Sequence, residues 1–306
     1  MLVVMALGGN ALLRRHEPPE AEVQRGNVLT AVAKSVAPIA RQHSVIITHG
    51  NGPQIGLLAL QTAAFTGVKP YPLDVLGAES EGMIGYLIEQ ALAEEIPDRE
   101  IATLLTQVEV DPADAAFAAP TKPIGPIYTE EEAHDLMARN RWTLAPDDGG
   151  SRRTVASPAP RRIRELEAVR LLVQAGVIVV CAGGGGIPVV VTARGGLRGV
   201  EAVIDKDYSA ALLAEELAAD ALLLLTDVNA VWTKWPAWSD SQAIGHATPA
   251  DLRAYSFAPG SMAPKVEAAC RFVERTGRVA AIGAMEEAEA ILEGKAGTIV
   301  SARGER

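Results

Sequence analysis

Three lysines stand in settings suited to holding an anion. Lys206 lies between two aspartates in "GVEAVIDKDYSAALL", where an apolar strand gives way to a helical pattern. Lys265 lies in "PGSMAPKVEAA", with Ser261 as an N-cap candidate and Pro264 in the first turn, where its missing N–H costs nothing. Lys122 lies in "PTKPIGP", stiffened by its prolines. The chain carries 7 Lys against 21 Arg. A lysine kept against that bias suits a compact three-donor ammonium, which arginine's planar fork does not reproduce. Asp205 is a good N-cap for the helix carrying Leu212, Leu213 and Leu217. Lys206 and Lys265 then both fall in first helical turns, where the helix dipole favours bound anions. By itself Lys206 also reads as a solvated charge at a helix start, and Asp207 as a first-turn acid that stabilises the helix. With an anionic ligand present, Asp207 instead orients the lysines without touching it.

Glycine-rich turns follow three of the apolar runs. "MALGGNALL" places Gly8, Gly9 and Asn10 after the first, "IITHGNGPQIG" places Gly50, Asn51 and Gly52 after the second, and "VVCAGGGGIPV" contains Gly183 to Gly186. In an open parallel sheet the carboxyl ends of the strands share one edge, so the three turns can converge on one crevice. Bare backbone N–H groups there bind phosphate oxygens. Gly8, Gly9, Asn10, Gly50, Asn51, Gly52, Gly184 and Gly185 are therefore the candidates for phosphate and substrate binding. Each turn alone is also ordinary tight-turn geometry. G-x-x-x-x-G-K-[ST] is absent, and Pro188 spoils G-x-G-x-x-G in the Gly183 run. A P-loop enzyme and an ordinary dinucleotide-binding dehydrogenase are disfavoured.

The elements that must carry these residues alternate. Strands are expected at Leu2–Leu7, Ser44–Thr48, Ile101–Val110, Val177–Cys181, Ala221–Thr226 and Arg278–Ile282. Helices are expected at Glu20–Gln42, Ser80–Glu95, Glu130–Arg139, Arg164–Ala175, Tyr208–Ala219 and Met262–Thr276. That alternation is the signature of a parallel sheet with helices on its faces, and "ALLLLT" suits a strand buried on both. From about 111 to 160 the chain is rich in Pro, Gly, Asp and Arg and reads as an insertion or lid. The whole of 1–306 reads as one domain bearing that lid.

Composition bounds the function. The 306 residues are 48% hydrophobic and 22% charged, as in a soluble globular chain, and the formal charge of −10 argues against a nucleic-acid surface. An anionic small substrate needs a local cationic pocket that overrides this field. Cys181 and Cys270 form neither a disulfide framework nor a metal-ligand spacing. Core packing suits Cys270, and the thiol count suits a reducing cytoplasm. Met1–Leu7 reads as a first strand rather than a signal peptide. The uncharged run 175–193 contains four consecutive glycines and Pro188, so no continuous membrane helix is expected there.

Taken together, "ALGGNAL", "HGNGPQIG", "DPADAAF…PTKPIGP", "CAGGGGIPV", "GVEAVIDKD", "LTDVNAV" and "PGSMAPKVEAA" resemble the carbamate kinases of the amino-acid kinase superfamily, in order from residue 2 to about 300. The resemblance implies an α/β fold: a three-layer αβα sandwich with an open, mainly parallel eight-stranded sheet, acting as a homodimer. It implies reversible phosphoryl transfer between ATP and carbamate, run towards ATP from carbamoyl phosphate and ADP in arginine catabolism, with Mg²⁺ held largely by the nucleotide phosphates and no metal ligands of its own. Lys206 and Lys265 would neutralise the moving phosphoryl group, Asp207 would orient them, and Lys122 would reach from the lid to the carbamate end. Gly8, Gly9, Asn10, Gly50 and Asn51 would donate hydrogen bonds around it. Thr226, Asp227, Val228 and Val231, with Met262 and Lys265, would line the nucleotide. Trp232 reads better as loop packing, and His49 as structural. Two departures stand out from the family pattern: Ser151 precedes Arg152-Arg153 where an aromatic is common, and Asn229 replaces a frequent aspartate. A kinase of the same fold acting on another small acid or a phosphonate is the nearest competing reading. A non-catalytic nucleotide or phosphate sensor is the second.

Overall fold

A computed structural model describes residues 1–9, 12–14, 17–147, 149–234, 241–257 and 262–303. Near-continuous apolar runs become strands because both of their faces find cover. The strands of the main sheet are β1 (Leu2–Leu7), β2 (Ser44–His49), β3 (Ile101–Thr103), β4 (Ile178–Val180), β5 (Ala221–Thr226), β6 (His246–Ala247), β7 (Val279–Ala284) and β8 (Thr298–Val300). Their order is β6-β8-β7-β5-β1-β2-β4-β3. Strands β3, β4, β2, β1, β5 and β7 pair in parallel, while β8 runs antiparallel to β7 and parallel to β6. The chain leaves β1 for β2 on one side and later places β5 on the other, with Met5 opposite both Ile47 and Leu223. That reversal opens a crevice outside the carboxyl ends of the strands beside β1.

The helices framing the sheet are α1 (Ala21–Ala31), α2 (Gly52–Ala64), α3 (Leu73–Glu95), α4 (Leu166–Gln174), α5 (Lys206–Glu216) and α6 (Met262–Thr276). Alternation along β1 sorts the layers. Val3, Met5 and Leu7 pack with Val28, Ile39, Ile84 and Ile88, whereas Val4 and Ala6 pack with Val169, Leu213, Phe272 and Val273. Each such fully buried side chain contributes roughly 1.5–3 kcal/mol, so two cores on one sheet make a stiff platform. This is the three-layer αβα sandwich with a mainly parallel eight-stranded sheet.

Strands β1 and β5 and helix α6 have the bounds their patterns predict. The remaining differences have local causes. The expected strand Ile101–Val110 breaks in two: β3 joins the main sheet, while Gln107–Val110 joins Ile187–Val191, Leu197–Gly199 and Pro160–Ile163 in a second sheet. The expected helix Glu20–Gln42 passes through a π turn, Val32–Val36, into a short helix at Ala37–Ala40 that has Pro38 in its first turn. Helix α3 begins at Leu73 rather than Ser80. Helix α5 begins at Lys206 because Asp205 caps it. Helix α2 was read only as a glycine turn, yet its Gly-Pro start suits a first turn, where N–H groups lack helical partners.

Within the region expected as a lid, Lys122–Tyr128, Gly150–Val155 and Thr143–Asp147 form a separate antiparallel sheet with Gly150–Val155, the last of the three in sequence, in the middle. A helix, Glu130–Asn140, crosses it and starts at a Thr129/Glu132 capping box. This sheet seats on α2 by backbone contact: a methyl carbon on Gly56 would fall 1.9 Å from Gly125 Cα. Ile124 and Val155 join Ile55, Leu73, Leu76 and Val203 in a third, smaller apolar cluster.

Candidate active site

The start of α5 gathers the charges. Asp205 caps the helix, one carboxylate oxygen accepting from the Asp207 N–H at 3.0 Å. Its other oxygen accepts at 2.7 Å from Nζ of Lys122, which opens the strand Lys122–Tyr128. Asp207 accepts from Lys206 Nζ through Oδ1 and from Lys265 Nζ, on α6, at 3.0 Å through Oδ2. The two oxygens of one carboxylate thereby hold two ammonium groups side by side. Lys206 is 8% exposed and Asp207 3%. Three ammonium groups face two carboxylates, so the pocket keeps a positive excess inside a net-acidic chain.

The surroundings tune these groups against one another. Burial pushes Lys206 down to about 8, with Lys265 adding to the fall and Asp207 opposing it. Burial also disfavours the Asp207 carboxylate, but Lys206 and then Lys265 outweigh it and hold the carboxyl far below the usual range. Lys265 is raised: burial opposes its charge, and Asp207 more than compensates. A desolvated ammonium beside a fixed carboxylate attracts an incoming phosphoryl group strongly, because little water screens it.

The glycine turns close around Lys206. A methyl carbon on Gly50 would fall 2.8 Å from the Gly9 nitrogen and 3.6 Å from Lys206 Cδ, so two bare backbones and the lysine stem are in contact. Gly8 abuts Thr226, where a methyl carbon would lie 3.5 Å from Thr226 Cα. The N–H groups of Gly8 and Gly50 are committed to Leu225 O at 2.9 Å and Leu7 O at 3.0 Å. Neither N–H is therefore free in this arrangement, so what these two glycines offer here is a close backbone approach. Asn51 is buried and donates to Ser80 Oγ of α3 at 2.9 Å. Gly52 opens α2 beside it. Asn10 and Ser261 lie outside the described residues.

The turn at Gly183–Gly186 packs beneath Asn51. Left-handed angles run through Ala182 (φ 51°), Gly184 (65°), Gly185 (93°) and Gly186 (85°). A methyl carbon on Gly184 would fall 2.1 Å from Asn51 Nδ2, and one on Gly185 2.6 Å from Ile204 O. The Gly185 N–H already donates to Ala182 O at 3.1 Å, so Gly185 shapes the floor and is not a free phosphate donor. His49 is fully buried; its Nδ1 lies 3.0 Å from Gly50 O, and burial lowers its pKa to about 4. That neutral, enclosed ring fits a structural role.

The nucleotide candidates lie along the exit of β5. Thr226 donates to Asp227 at 3.1 Å, and Val228 is half-buried. Val231 is fully buried in the core, with its N–H donating to Thr298 Oγ1 at 2.8 Å. Its side chain therefore holds the segment rather than facing a ligand. Trp232 donates from Nε1 to Asn229 at 3.2 Å, which is the loop packing expected of it. Met262 opens α6 three residues before Lys265. Ser151 stands where the family pattern has an aromatic, but Trp142, just ahead of the strand Thr143–Asp147, stacks on the Arg153 guanidinium, 4.1 Å from ring centroid to Cζ. Sequence reasoning missed Ser80, Glu81 and Ser209, which support these residues from α3 and α5. Only their polarity on buried helix faces marks them in the sequence.

The amino acid kinase family matches residues 1–283. Curated carbamate kinases from Rhizobium meliloti and Haemophilus influenzae are 53% and 52% identical to the chain; the matches cover 98% and 100% of it and 93% and 98% of those proteins. A solved structure, carbamate kinase from Giardia lamblia bound to AMP-PNP, superposes with a TM-score of 0.88 at 40% identity over 98% of each chain. With full-length identity at this level and a lysine–aspartate cluster at the sheet's switch point, the chain belongs to the carbamate kinases of the amino acid kinase family.

Proposed function

We propose that this site transfers a phosphoryl group reversibly between carbamoyl phosphate and ADP, giving carbamate and ATP, and that the cell uses it towards ATP in arginine catabolism in the cytoplasm. The observation that carries the reading is Asp207 binding Lys206 and Lys265 through its two oxygens. In the ATP-forming direction an oxygen of the ADP β-phosphate attacks phosphorus, the bond from phosphorus to the carbamate oxygen breaks, and carbamate leaves as an anion. No general base is needed, because neither nucleophile nor leaving group gives up a proton. Such transfers ask a protein for position and charge stabilisation. Lys206 and Lys265 would meet the equatorial oxygens, with Asp207 holding them apart at a set spacing. Asn51, Gly9 and Gly52 would present the amide and N–H donors, while Gly8, Gly50, Gly184 and Gly185 would keep the walls close.

Lys122 reaches this cluster from the lid through Asp205, which favours a role at the carbamate end. Thr226, Asp227, Val228 and Met262 would line the nucleotide, with Lys265 at its terminal phosphate. Among the described residues no group of three or more His, Cys, Asp or Glu could hold a metal ion. Mg²⁺ would enter with the substrate, as the magnesium complex of ADP or ATP. No helix among the described residues is long and apolar enough to cross a membrane. A homodimer is supported by an exposed apolar stripe on α3, Val75, Met83 and Tyr86, with Leu105 beside it next to the sheet-edge strand β3.

The test is ATP formation from carbamoyl phosphate and MgADP by the purified protein. Lys206→Ala and Lys265→Ala should each lose on the order of 10²–10³ in kcat, the usual effect of removing one preorganised donor. Near-normal turnover in both variants would sink the assigned roles. Nucleotide binding without ATP formation by the unmodified protein would discard the acceptor.

A further inference from the structure

Glu81 is a carboxyl group with no cationic partner among the described residues, buried on the inner face of α3 at 1% exposure. It follows the buried series Leu73, Leu76, Gly77 and Ser80 and precedes Ile84, a position where an aliphatic side chain would serve the core. Burial pushes its pKa up to about 8, with Glu165 adding to the rise, so the group sits there at a cost. What it obtains is two backbone N–H groups: Oε1 accepts from Gly183 at 2.9 Å and Oε2 from Thr106 at 3.1 Å.

Those two amides belong to the exits of β4 and β3. Thr106 Oγ1 in turn accepts from the Ala182 N–H at 3.0 Å, so the two exits are stitched to each other as well as to α3. The Gly183 turn is left-handed through most of its length and carries active-site residues on both sides. Above it, Asn51 has no room to move, since Gly184 lies against its carboxamide and Ser80 accepts from it. Beside it, the Gly185 carbonyl accepts from Ser209 Oγ at 2.7 Å, three residues beyond Lys206 on α5.

We propose that Glu81 is a positioning residue for phosphoryl transfer. Through its two backbone hydrogen bonds it sets the Gly183 turn, and through that turn it places the Asn51 carboxamide and the start of α5 with Lys206 and Asp207. It touches no substrate. The inference rests on the site roles assigned above to Asn51 and Lys206.

The experiment compares Glu81→Leu, which removes both acceptors, and Glu81→Gln, which keeps the shape and one acceptor, with the unmodified protein and Lys206→Ala. Steady-state kinetics are measured with carbamoyl phosphate and MgADP, alongside thermal melting. Displacing groups at the reacting centre predicts kcat lower by about 10- to 100-fold in Glu81→Leu and by less in Glu81→Gln, with KM for MgADP within about twofold of the unmodified protein. Wild-type kcat in Glu81→Leu overturns the proposal, as does a loss that disappears when rates are corrected for the folded fraction. If Glu81→Leu does not fold, Glu81→Gln decides alone: lowered kcat at constant KM supports positioning, and wild-type kcat overturns it. Lys206→Ala keeps the two readings apart. An inert Lys206→Ala with an undiminished Glu81→Leu removes Glu81 and leaves the active site standing.

Discussion

Asp207 is the residue on which the cluster turns, because one carboxylate satisfies two lysines that would otherwise repel in a desolvated pocket. The arrangement leaves Lys206 titrating near 8 in the ligand-free protein. The sign follows directly: the ammonium is the form that neutralises a phosphoryl group, and it is lost as pH rises through that value. The pH profile of kcat/KM, which reports free-enzyme groups, should fall above about pH 8. In Lys206→Arg the guanidinium stays charged, so whatever activity survives should lack that descending limb. A limb unchanged in the arginine variant would assign it to another group. The same geometry explains a lysine between two aspartates: Asp207 orients it, while Asp205 caps its helix and holds Lys122.

Three kinds of element end converge on the crevice: bare glycine turns after β1 and β2, the left-handed turn after β4, and the first turns of α2, α5 and α6. Helix N-termini contribute unpartnered N–H groups and positive potential, and glycines let them come close. The turn after β4 is the tightest joint. Gly184→Ala would strain a φ of 65° and drive its methyl carbon into Asn51. The backbone strain is on the order of 1–3 kcal/mol, read as a lower melting temperature. Displacement of Asn51 should further cut kcat by roughly tenfold or more. Gly176→Ala, also left-handed but with open space around its Cβ position, is the control: it should lose stability and keep kcat. Equal kcat in both variants would remove the turn's part in placing Asn51.

Across the whole molecule the charge distribution divides the work. A chain with net charge −10 repels anions at a distance, and the positive excess around Asp207 attracts them once they enter the crevice. The separate antiparallel sheet ties to this centre through Lys122 and to α2 through the Gly56–Gly125 contact. The apolar stripe Val75, Met83 and Tyr86 lies away from the crevice residues, on the outer face of α3. If the proposed homodimer uses this stripe, Tyr86→Glu should convert it to a monomer by sedimentation velocity, since a buried unpaired charge at an interface costs several kcal/mol. A monomeric unmodified protein, or an unchanged sedimentation coefficient in the variant, would overturn that use of the stripe.

Much of this was legible along the chain, and the reason is locality. Strands β1 and β5 are continuous apolar runs ended by a turn, and α6 repeats its apolar residues with helical spacing, so neighbours in sequence carry the whole signal. The ordered motifs carried the family, and the lysines announced a site for an anion. The sequence did not reveal α2, because glycine and proline punctuate a turn and a helix start in the same letters. It did not reveal the break at 104–106, where Glu81, 25 positions away, holds Thr106 out of the strand. Nor could it show that Gly8, Gly50 and Gly185 have spent their N–H groups on backbone partners. Sequence determined most of the elements and the chemistry they carry, since both depend on residues close along the chain. Tertiary structure decided which groups meet, because Lys122 with Asp205 and Lys265 with Asp207 join positions 83 and 58 residues apart.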